Sequence, residues 1–252
     1  MHLPTKVSVE ISEFVDDHCS QHPEDYAVVY GSSVYSPDKV TSDVDMFLVS
    51  RDADNVAIDS LVAFIKDLHL KNGRSLDAEV PYENKVLYSL AEIDSAVNFS
   101  GFEVIDGKIV VPEVKKEAEF LQSDQIKARL ALNGLTTPHV VFGKDFAQYH
   151  EARVKAGLAI TILAISLSEQ SRFNLDDLRD ALVVGDDGQS GEMFLGYKTE
   201  YPIVDEHLVG ILNAGLKRLI GCNAIEPWAG GYNIDSKIFD PLMCAQTSYN
   251  YN

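Results

Sequence analysis

Cysteine is scarce in this sequence, with only three among 252 residues: Cys19, Cys222 and Cys244. They are far apart, form no C-x-x-C pair and are odd in number, which argues against a disulfide scaffold and a thiolate zinc site. The pattern is typical of a reducing compartment, so we expect a cytoplasmic protein.

Long hydrophobic runs are also missing. The longest predominantly apolar stretch, 156–167, has 12 residues, whereas a membrane span needs roughly 20. The first residues lack the charged-then-apolar order of a signal peptide. We therefore expect a soluble protein without a membrane partner.

Basic residues are few: 21 Lys and Arg against 39 Asp and Glu give a formal net charge of −18. A surface this acidic repels phosphate backbones and anionic lipids, which disfavours extended nucleic-acid or membrane-surface binding. Small cationic ligands are favoured instead.

The hydrophobic pattern changes along the chain. Strands are predicted at 26–30, 43–49, 75–80 and 139–142, a hairpin at 102–111, and helices at 8–20, 56–70 and 115–132. Three further helices are predicted at 152–168, 175–184 and 206–220, with few strand-like runs and an irregular segment at 226–252. This indicates an α/β (α+β) domain over 1–148 and a helical domain over 149–252.

A Gly-Ser pair follows the first predicted strand. Gly31 leaves room for a phosphate to approach the backbone, and the Ser32 hydroxyl would bond its oxygens. Ser33, Ser42 and Lys39 of the same loop are further candidate nucleotide-binding residues. Ser42 would bond a phosphate or cap the loop, and Lys39 would reach a triphosphate or extend into solvent.

Paired carboxylates open the second predicted strand. Because side chains alternate along a strand, Asp43 and Asp45 share one face, about 7 Å apart. Asp77 or Glu79 on a neighbouring strand would face the same point. Clustered carboxylates need compensation, and hard oxygen ligands without thiolate select Mg²⁺ or Mn²⁺. Two such ions about 4 Å apart would suit an in-line phosphoryl displacement.

Gly31-Ser32, Asp43-Val-Asp45 and Arg74-Ser-Leu-Asp77 together resemble the motifs of the nucleotidyltransferase superfamily that includes DNA polymerase beta. The resemblance covers residues 26–82. The two-part layout suggests the small-molecule branch, such as aminoglycoside and lincosamide adenylyltransferases, and implies an N-terminal mixed sheet flanked by helices with a C-terminal helical bundle.

By this resemblance Asp43 and Asp45 would hold two Mg²⁺ ions, and Asp77 would complete the ion at the attacking hydroxyl. Gly31 and Ser32 would hold the triphosphate. Glu79 points the same way as Asp77 on a strand and stays open as ligand or base. The 35–39 segment departs from the pattern, since many relatives carry a glycine there.

The expected activity is transfer of a nucleoside monophosphate to a hydroxyl, with AMP from ATP first among the nucleotides and pyrophosphate released. The expected acceptor is a small molecule, cationic like an aminoglycoside, bound between the domains, as in antibiotic-resistance enzymes. A tRNA or protein acceptor, and a catalytically silent nucleotide-binding module, remain open. From the second domain, Glu151, Arg153, Lys155 and the segment 197–201 are candidate contacts, each with an equally simple packing explanation.

Overall fold

The computed structural model of the protein describes residues 3–36, 42–76, 80–97, 103–105, 108–110, 124–168, 170–183 and 201–234. The helices in these ranges are α1 Thr5–His18, α2 Ser32–Tyr35, α3 Ile58–Lys71, α4 Leu90–Val97, α5 Asp124–Thr136, α6 Ala147–Ser168, α7 Leu175–Leu182 and α8 Pro202–Gly221. The strands are β1 Tyr26–Tyr30, β2 Asp45–Ser50, β3 Leu87–Ser89, β4 Glu103–Ile105, β5 Lys108–Val110, β6 Val140–Gly143, β7 Arg172–Phe173, β8 Glu226–Trp228 and β9 Gly231–Asn233.

A mixed sheet with the strand order β3-β2-β1-β6 forms the centre of the fold. β1 runs antiparallel to both β2 and β6, whereas β2 and β3 are parallel. The predicted mixed α/β class is therefore confirmed.

The two faces of this sheet pack against different helices. One face, which includes Ala27 and Leu48, packs with α1 and α3 in one hydrophobic cluster. The opposite face, which includes Phe47 and Tyr88, belongs to a second cluster that reaches α4, α5 and α6. Both faces are apolar because the central strands are covered on both sides, so β1 is buried at all five positions.

The second cluster continues into the C-terminal helices. It includes Leu163 of α6, Leu178 of α7 and Leu212 of α8 together with sheet residues such as Tyr26. Apolar contacts thus run without interruption across the predicted boundary between residues 148 and 149. That boundary stays a prediction.

Most predicted elements are present, with shifted ends. β1 matches its predicted bounds, β4 and β5 form the predicted hairpin, and every predicted helix has a counterpart. The helix predicted at 115–132 is seen only from Asp124, since 111–123 lie outside the described residues.

The strand predicted at 75–80 lies only partly within the described residues. Residues 74–76 and 80 are not in a strand, and 77–79 lie outside the described residues. β3 pairs with β2 instead, through Leu48↔Leu87 and Val49↔Tyr88. The alternating pattern at 75–80 suggested a half-exposed strand, whereas a parallel strand covered on both faces reads as a short apolar run.

The irregular segment predicted at 226–252 contains strands within 226–234, so the prediction is wrong there, and 235–252 lie outside the described residues. β7, β9 and β8 form a small antiparallel sheet. The Arg172 guanidinium lies 5.1 Å from the centre of the Trp228 ring. Strands of two or three residues are too short to show a period of two.

Among the described residues, no helix combines the length and apolar character that a membrane crossing requires.

Candidate active site

The Gly-Ser pair forms the turn between β1 and α2. Gly31 has φ 78° and ψ −171°, a conformation that is essentially restricted to glycine. The Val34 N–H donates to the Gly31 carbonyl at 3.0 Å, and α2 makes a single helical turn. Ser32 is half-buried, whereas Ser33 is buried and its hydroxyl donates to the Tyr30 carbonyl at 3.4 Å. Ser32 is therefore the more accessible of the two hydroxyls.

The carboxylate of Asp45 lies directly against this turn. Asp45 pairs with Tyr30 in the antiparallel β1–β2 ladder, and Tyr30 is the residue that precedes Gly31. A Cβ atom built at Gly31 would be 2.3 Å from Oδ2 of Asp45. Glycine is required here both for its backbone conformation and because the carboxylate occupies the space of a side chain. The structure thus brings together the Gly-Ser turn and the second predicted carboxylate.

Asp45 is the first residue of β2 and Asp43 precedes the strand by two positions, and both are half-buried. Lys85 is near Asp45, with its Nζ 3.8 Å from Oδ1, and the same ammonium lies 5.0 Å from the centre of the Tyr82 ring. The Lys85 side chain is only 7% exposed. A buried ammonium beside the carboxylate reduces the repulsion between the two aspartates.

Arg74 supports the loop on the Asp43 side. Its Nη1 donates to the Ser42 carbonyl at 2.8 Å. Burial lowers the pKa of Arg74, and the negative charge of Asp43 opposes that shift. Ser42 therefore has a backbone role in the loop, and its half-buried side chain is next to the aspartate pair.

A buried histidine holds the backbone between the two aspartates. The Val44 N–H donates to Nε2 of His69 at 2.8 Å, and the carbonyl of Ile65 lies 2.6 Å from Nδ1. Because a carbonyl only accepts, Nδ1 carries the proton and Nε2 is the acceptor. Burial lowers the pKa of His69, which keeps the ring neutral.

Helix α8 begins close to the Gly-Ser turn. The ring of Tyr201, which precedes the helix, lies 5.2 Å from the ring of Tyr35 in α2 at 57°. Tyr201 belongs to the 197–201 segment that the sequence suggested as a ligand contact. Here the contact is with the protein, and 197–200 lie outside the described residues.

Three of the predicted site residues, Lys39, Asp77 and Glu79, lie outside the described residues. Within the described part of the chain, no group of three His, Cys, Asp or Glu side chains is placed to hold a metal ion. Of the candidates on α6, Lys155 forms ion pairs with Asp94 and Glu151, so these side chains have a packing role. Arg153 lines a separate groove between α6 and α8.

Sequence reasoning missed His69 and Lys85. His69 falls one turn after Ile65 in α3, on the buried face, where a histidine is read as part of the core. Lys85 precedes the strand that was predicted elsewhere, so nothing connected it with Asp45. Arg74 did have a signal, since it is part of the Arg74-Ser-Leu-Asp77 motif.

No protein-family model, curated protein or solved structure matches this chain in the three comparisons made. The function must therefore be argued from the residues themselves.

Proposed function

We propose that this protein is a metal-dependent nucleotidyltransferase, an enzyme that moves a nucleoside monophosphate from a nucleoside triphosphate to a hydroxyl and releases pyrophosphate. The observation that carries the proposal is the contact between Gly31 and Asp45. A turn suited to phosphate and a carboxylate suited to a divalent ion are adjacent, and the missing Cβ allows the carboxylate to lie against the turn.

The donor set suits a hard divalent ion. Asp43 and Asp45 offer half-buried carboxylates two positions apart in the sequence, and oxygen donors of this kind prefer Mg²⁺ or Mn²⁺. Asp77 is the proposed third ligand, with Glu79 as the alternative. When bound, the ions would neutralise charge on the triphosphate and the leaving pyrophosphate.

The protein groups have separate roles in this proposal. The Ser32 hydroxyl donates to a phosphate oxygen, with Ser33, Ser42 and Lys39 as further candidate contacts, and Gly31 lets the phosphate approach the backbone. A carboxylate of the 77–79 segment accepts the proton of the attacking hydroxyl. Positioning and electrostatic stabilisation, not a covalent intermediate, supply the rate enhancement.

His69 keeps the two aspartates in place. Since it binds the Val44 amide, it restrains the backbone on which both carboxylates are mounted. Lys85 and Arg74 supply positive charge on either side of the pair while no metal is bound. The neutral state of His69 matters, because a protonated ring would lose the acceptor for the Val44 N–H.

The finer parts of the proposal follow from the resemblance of residues 26–82. They are a nucleotidyltransferase fold in residues 1–148, a C-terminal helical bundle, ATP as the first nucleotide to test, and a small acceptor bound between the two parts. A cytoplasmic location is proposed from the cysteine pattern. The net charge of −18 favours a cationic acceptor such as an aminoglycoside.

The test is pyrophosphate release by the purified full chain. Each nucleoside triphosphate is supplied with Mg²⁺ or Mn²⁺ and a panel of aminoglycosides, polyamines and hydroxylated metabolites. Asp43→Asn and Asp45→Asn should each lower the rate at least about a hundredfold. Asp54→Asn, in the 3₁₀ turn after β2, is the matched control and should retain the rate.

Three other results would change or refute the proposal. If radiolabelled ATP transfers its label to RNA or to a protein and to no small molecule, the acceptor is a macromolecule and not a small molecule. Metal-dependent nucleotide binding without pyrophosphate release from any acceptor would make the protein a silent nucleotide-binding module. Full activity in Asp45→Asn would refute the metal site.

A further inference from the structure

A groove of about 510 Å³ lies between α6 and α8, apart from the Gly-Ser turn and the aspartates. Its apolar lining includes Val154, Leu158 and Ile211. Val154 is 42% exposed, although it is a large apolar residue in a helix that is otherwise well packed.

The groove exists because α8 carries small residues along this side. Gly215 packs directly on Thr161 of α6, and a Cβ built at Gly157 would be 3.5 Å from Ile211. A Cβ built at Gly210 would meet nothing within 4 Å. The helices are therefore in contact along one line, and the open space beside that line would accept a larger side chain at position 210.

The charged groups of the groove are mainly cationic. Arg153 and Arg218 line it, together with one exposed carboxylate, that of Glu206. In the part of the chain that the structure describes, neither arginine has a carboxylate within 4 Å.

Other cations nearby differ in this respect: Lys155 of α6 and Arg179 of α7 are paired, whereas Lys217 of α8 has no ion pair among the described residues. Lys155 has two carboxylate partners, Asp94 and Glu151. Arg179 of α7 pairs with Asp205 of α8 and with Asp180. In a chain with 39 acidic and 21 basic residues, two arginines in one groove without a carboxylate partner among the described residues leave a local positive potential.

His207 of α8 is also part of the lining. His207 lies beside His139, with 6.2 Å between ring centres. Burial lowers the pKa of His207 to about 4, and His139 and Arg153 add to the shift. Arg153 is also near Tyr149, where its charge opposes the rise in the Tyr149 pKa that burial causes.

We propose that the groove between α6 and α8 binds a small anionic molecule with an apolar body. The anionic group pairs with Arg218 or Arg153, and the body lies over Val154, Leu158 and Ile211. Positions 207 to 218 of α8 span about 16 Å at the helical rise, enough for a chain of several carbons or a two-ring aromatic. This inference does not depend on nucleotidyl transfer.

The probe is the dye 8-anilinonaphthalene-1-sulfonate, which joins an anionic group to an apolar body and fluoresces when shielded from water. Titration of the full-length protein, without nucleotide or metal, should show one saturable site. Octanoate and octyl phosphate are the competitors that distinguish carboxylate from phosphate ligands. Octylammonium has the same body with the opposite charge, and inorganic phosphate has the charge without the body, so neither should compete at the same concentration.

Two variants test the location of the site. Arg218→Gln removes a charge and should weaken dye binding about tenfold, the effect of losing one charge-assisted contact. Gly210→Leu fills the groove and should weaken binding at least as much. Lys217→Gln is the matched control, since it removes the same charge from the next, exposed position of α8, outside the groove.

Far-UV circular dichroism and thermal unfolding of each variant separate loss of the site from loss of the fold. The proposal is overturned if dye binding is not saturable, if Arg218→Gln and Gly210→Leu bind like Lys217→Gln, or if octylammonium competes as well as octanoate. Because the assay contains no nucleotide, its failure is distinct from a failure of the proposed transferase activity.

Discussion

Gly215 of α8 packs on Thr161 of α6 with no room for a side chain. A Cβ atom built at Gly215 would lie 2.0 Å from the Thr161 Oγ1 and 2.6 Å from its Cβ. Thr161 is held in this position, since its hydroxyl donates to the Gly157 carbonyl at 2.9 Å. This contact sets the distance between the two helices that border the groove.

Gly215→Ala should therefore destabilise the protein, because the helices must separate to admit the methyl group. We expect the free energy of unfolding in urea to fall by about 2 kcal/mol. Gly210→Ala, five residues earlier on the same helix, should raise it by about 0.5 kcal/mol through helix propensity alone. Equal effects of the two changes would show that the Thr161 contact does not limit the approach of α6 and α8.

Gly31→Ala should combine backbone strain with a collision against Asp45. We expect a loss of about 3 kcal/mol in the free energy of unfolding, with loss of the transferase activity. Gly73→Ala is the control, since Gly73 also has a positive φ of 63° but has nothing within 4 Å of the added Cβ. It should cost about 1 kcal/mol and leave activity unchanged. Activity retained in Gly31→Ala would argue against the phosphate role of this turn.

Replacing His69 should affect both stability and the aspartate pair. His69→Leu leaves the buried Val44 N–H without its acceptor, so we expect a loss of about 2 kcal/mol in urea unfolding. His69→Gln keeps an acceptor oxygen and should lose less. In His69→Leu the transferase should need a higher Mg²⁺ concentration to reach half of its maximal rate, because the aspartates are less well positioned. A purely structural role of His69 would not cause this shift. An unshifted dependence in a folded variant would remove the positioning role.

Tyr26 and Tyr88 allow a matched comparison, because both are fully buried. The Tyr88 hydroxyl donates to the Lys127 carbonyl at 2.9 Å, whereas the buried Tyr26 hydroxyl has no hydrogen-bond partner among the described residues. Tyr88→Phe should lower the free energy of unfolding by about 1 kcal/mol, and Tyr26→Phe should raise it by a similar amount. Thermal denaturation of both variants under one condition checks the opposite signs.

Stability should decrease between pH 7 and pH 5. The pKa of His207 is lowered to about 4 by burial, below the ordinary value of 6.5. Between pH 6.5 and pH 4 the His207 ring is therefore protonated in the unfolded chain but not in the folded protein. The stability that His207 contributes above pH 6.5 is lost as the pH falls towards 4. His139 and His69, whose pKa values are also lowered by burial, act in the same direction.

The measurement is the free energy of unfolding in urea at several pH values. We expect a decrease of about 1 kcal/mol from His207 between pH 7 and pH 5, after allowance for its partial exposure. His207→Gln should remove part of the slope. A pH profile that is equally steep in the variant would show that other groups dominate.

The elements of the fold were predictable where the pattern is local. β1 is a run of five apolar residues before a glycine, and α1, α3 and α8 each show buried positions at helical spacing. The adjacency of Gly31 and Asp45 was also predictable in part, because strands that are consecutive in sequence usually lie next to each other in a sheet. Their separation of a few ångströms was not.

Other parts depend on long-range packing. β3 has only three residues and is a strand because its backbone bonds to β2; its local sequence predicts little. The small sheet of β7, β8 and β9 likewise joins residues about 60 positions apart. Such short strands gain their stability from pairing, which single-sequence patterns do not record.

The chemical character of the candidate site is written in local order along the chain: a glycine and a serine after a buried strand, then two acids two residues apart. Which residues surround those groups is determined only by the tertiary structure. His69, Arg74 and Lys85 contact the 43–45 segment from 25 to 40 positions away in sequence, and the groove between α6 and α8 arises from where two helices touch. Side-chain type is a property of each position, whereas burial and charge pairing arise only when distant segments exclude water together.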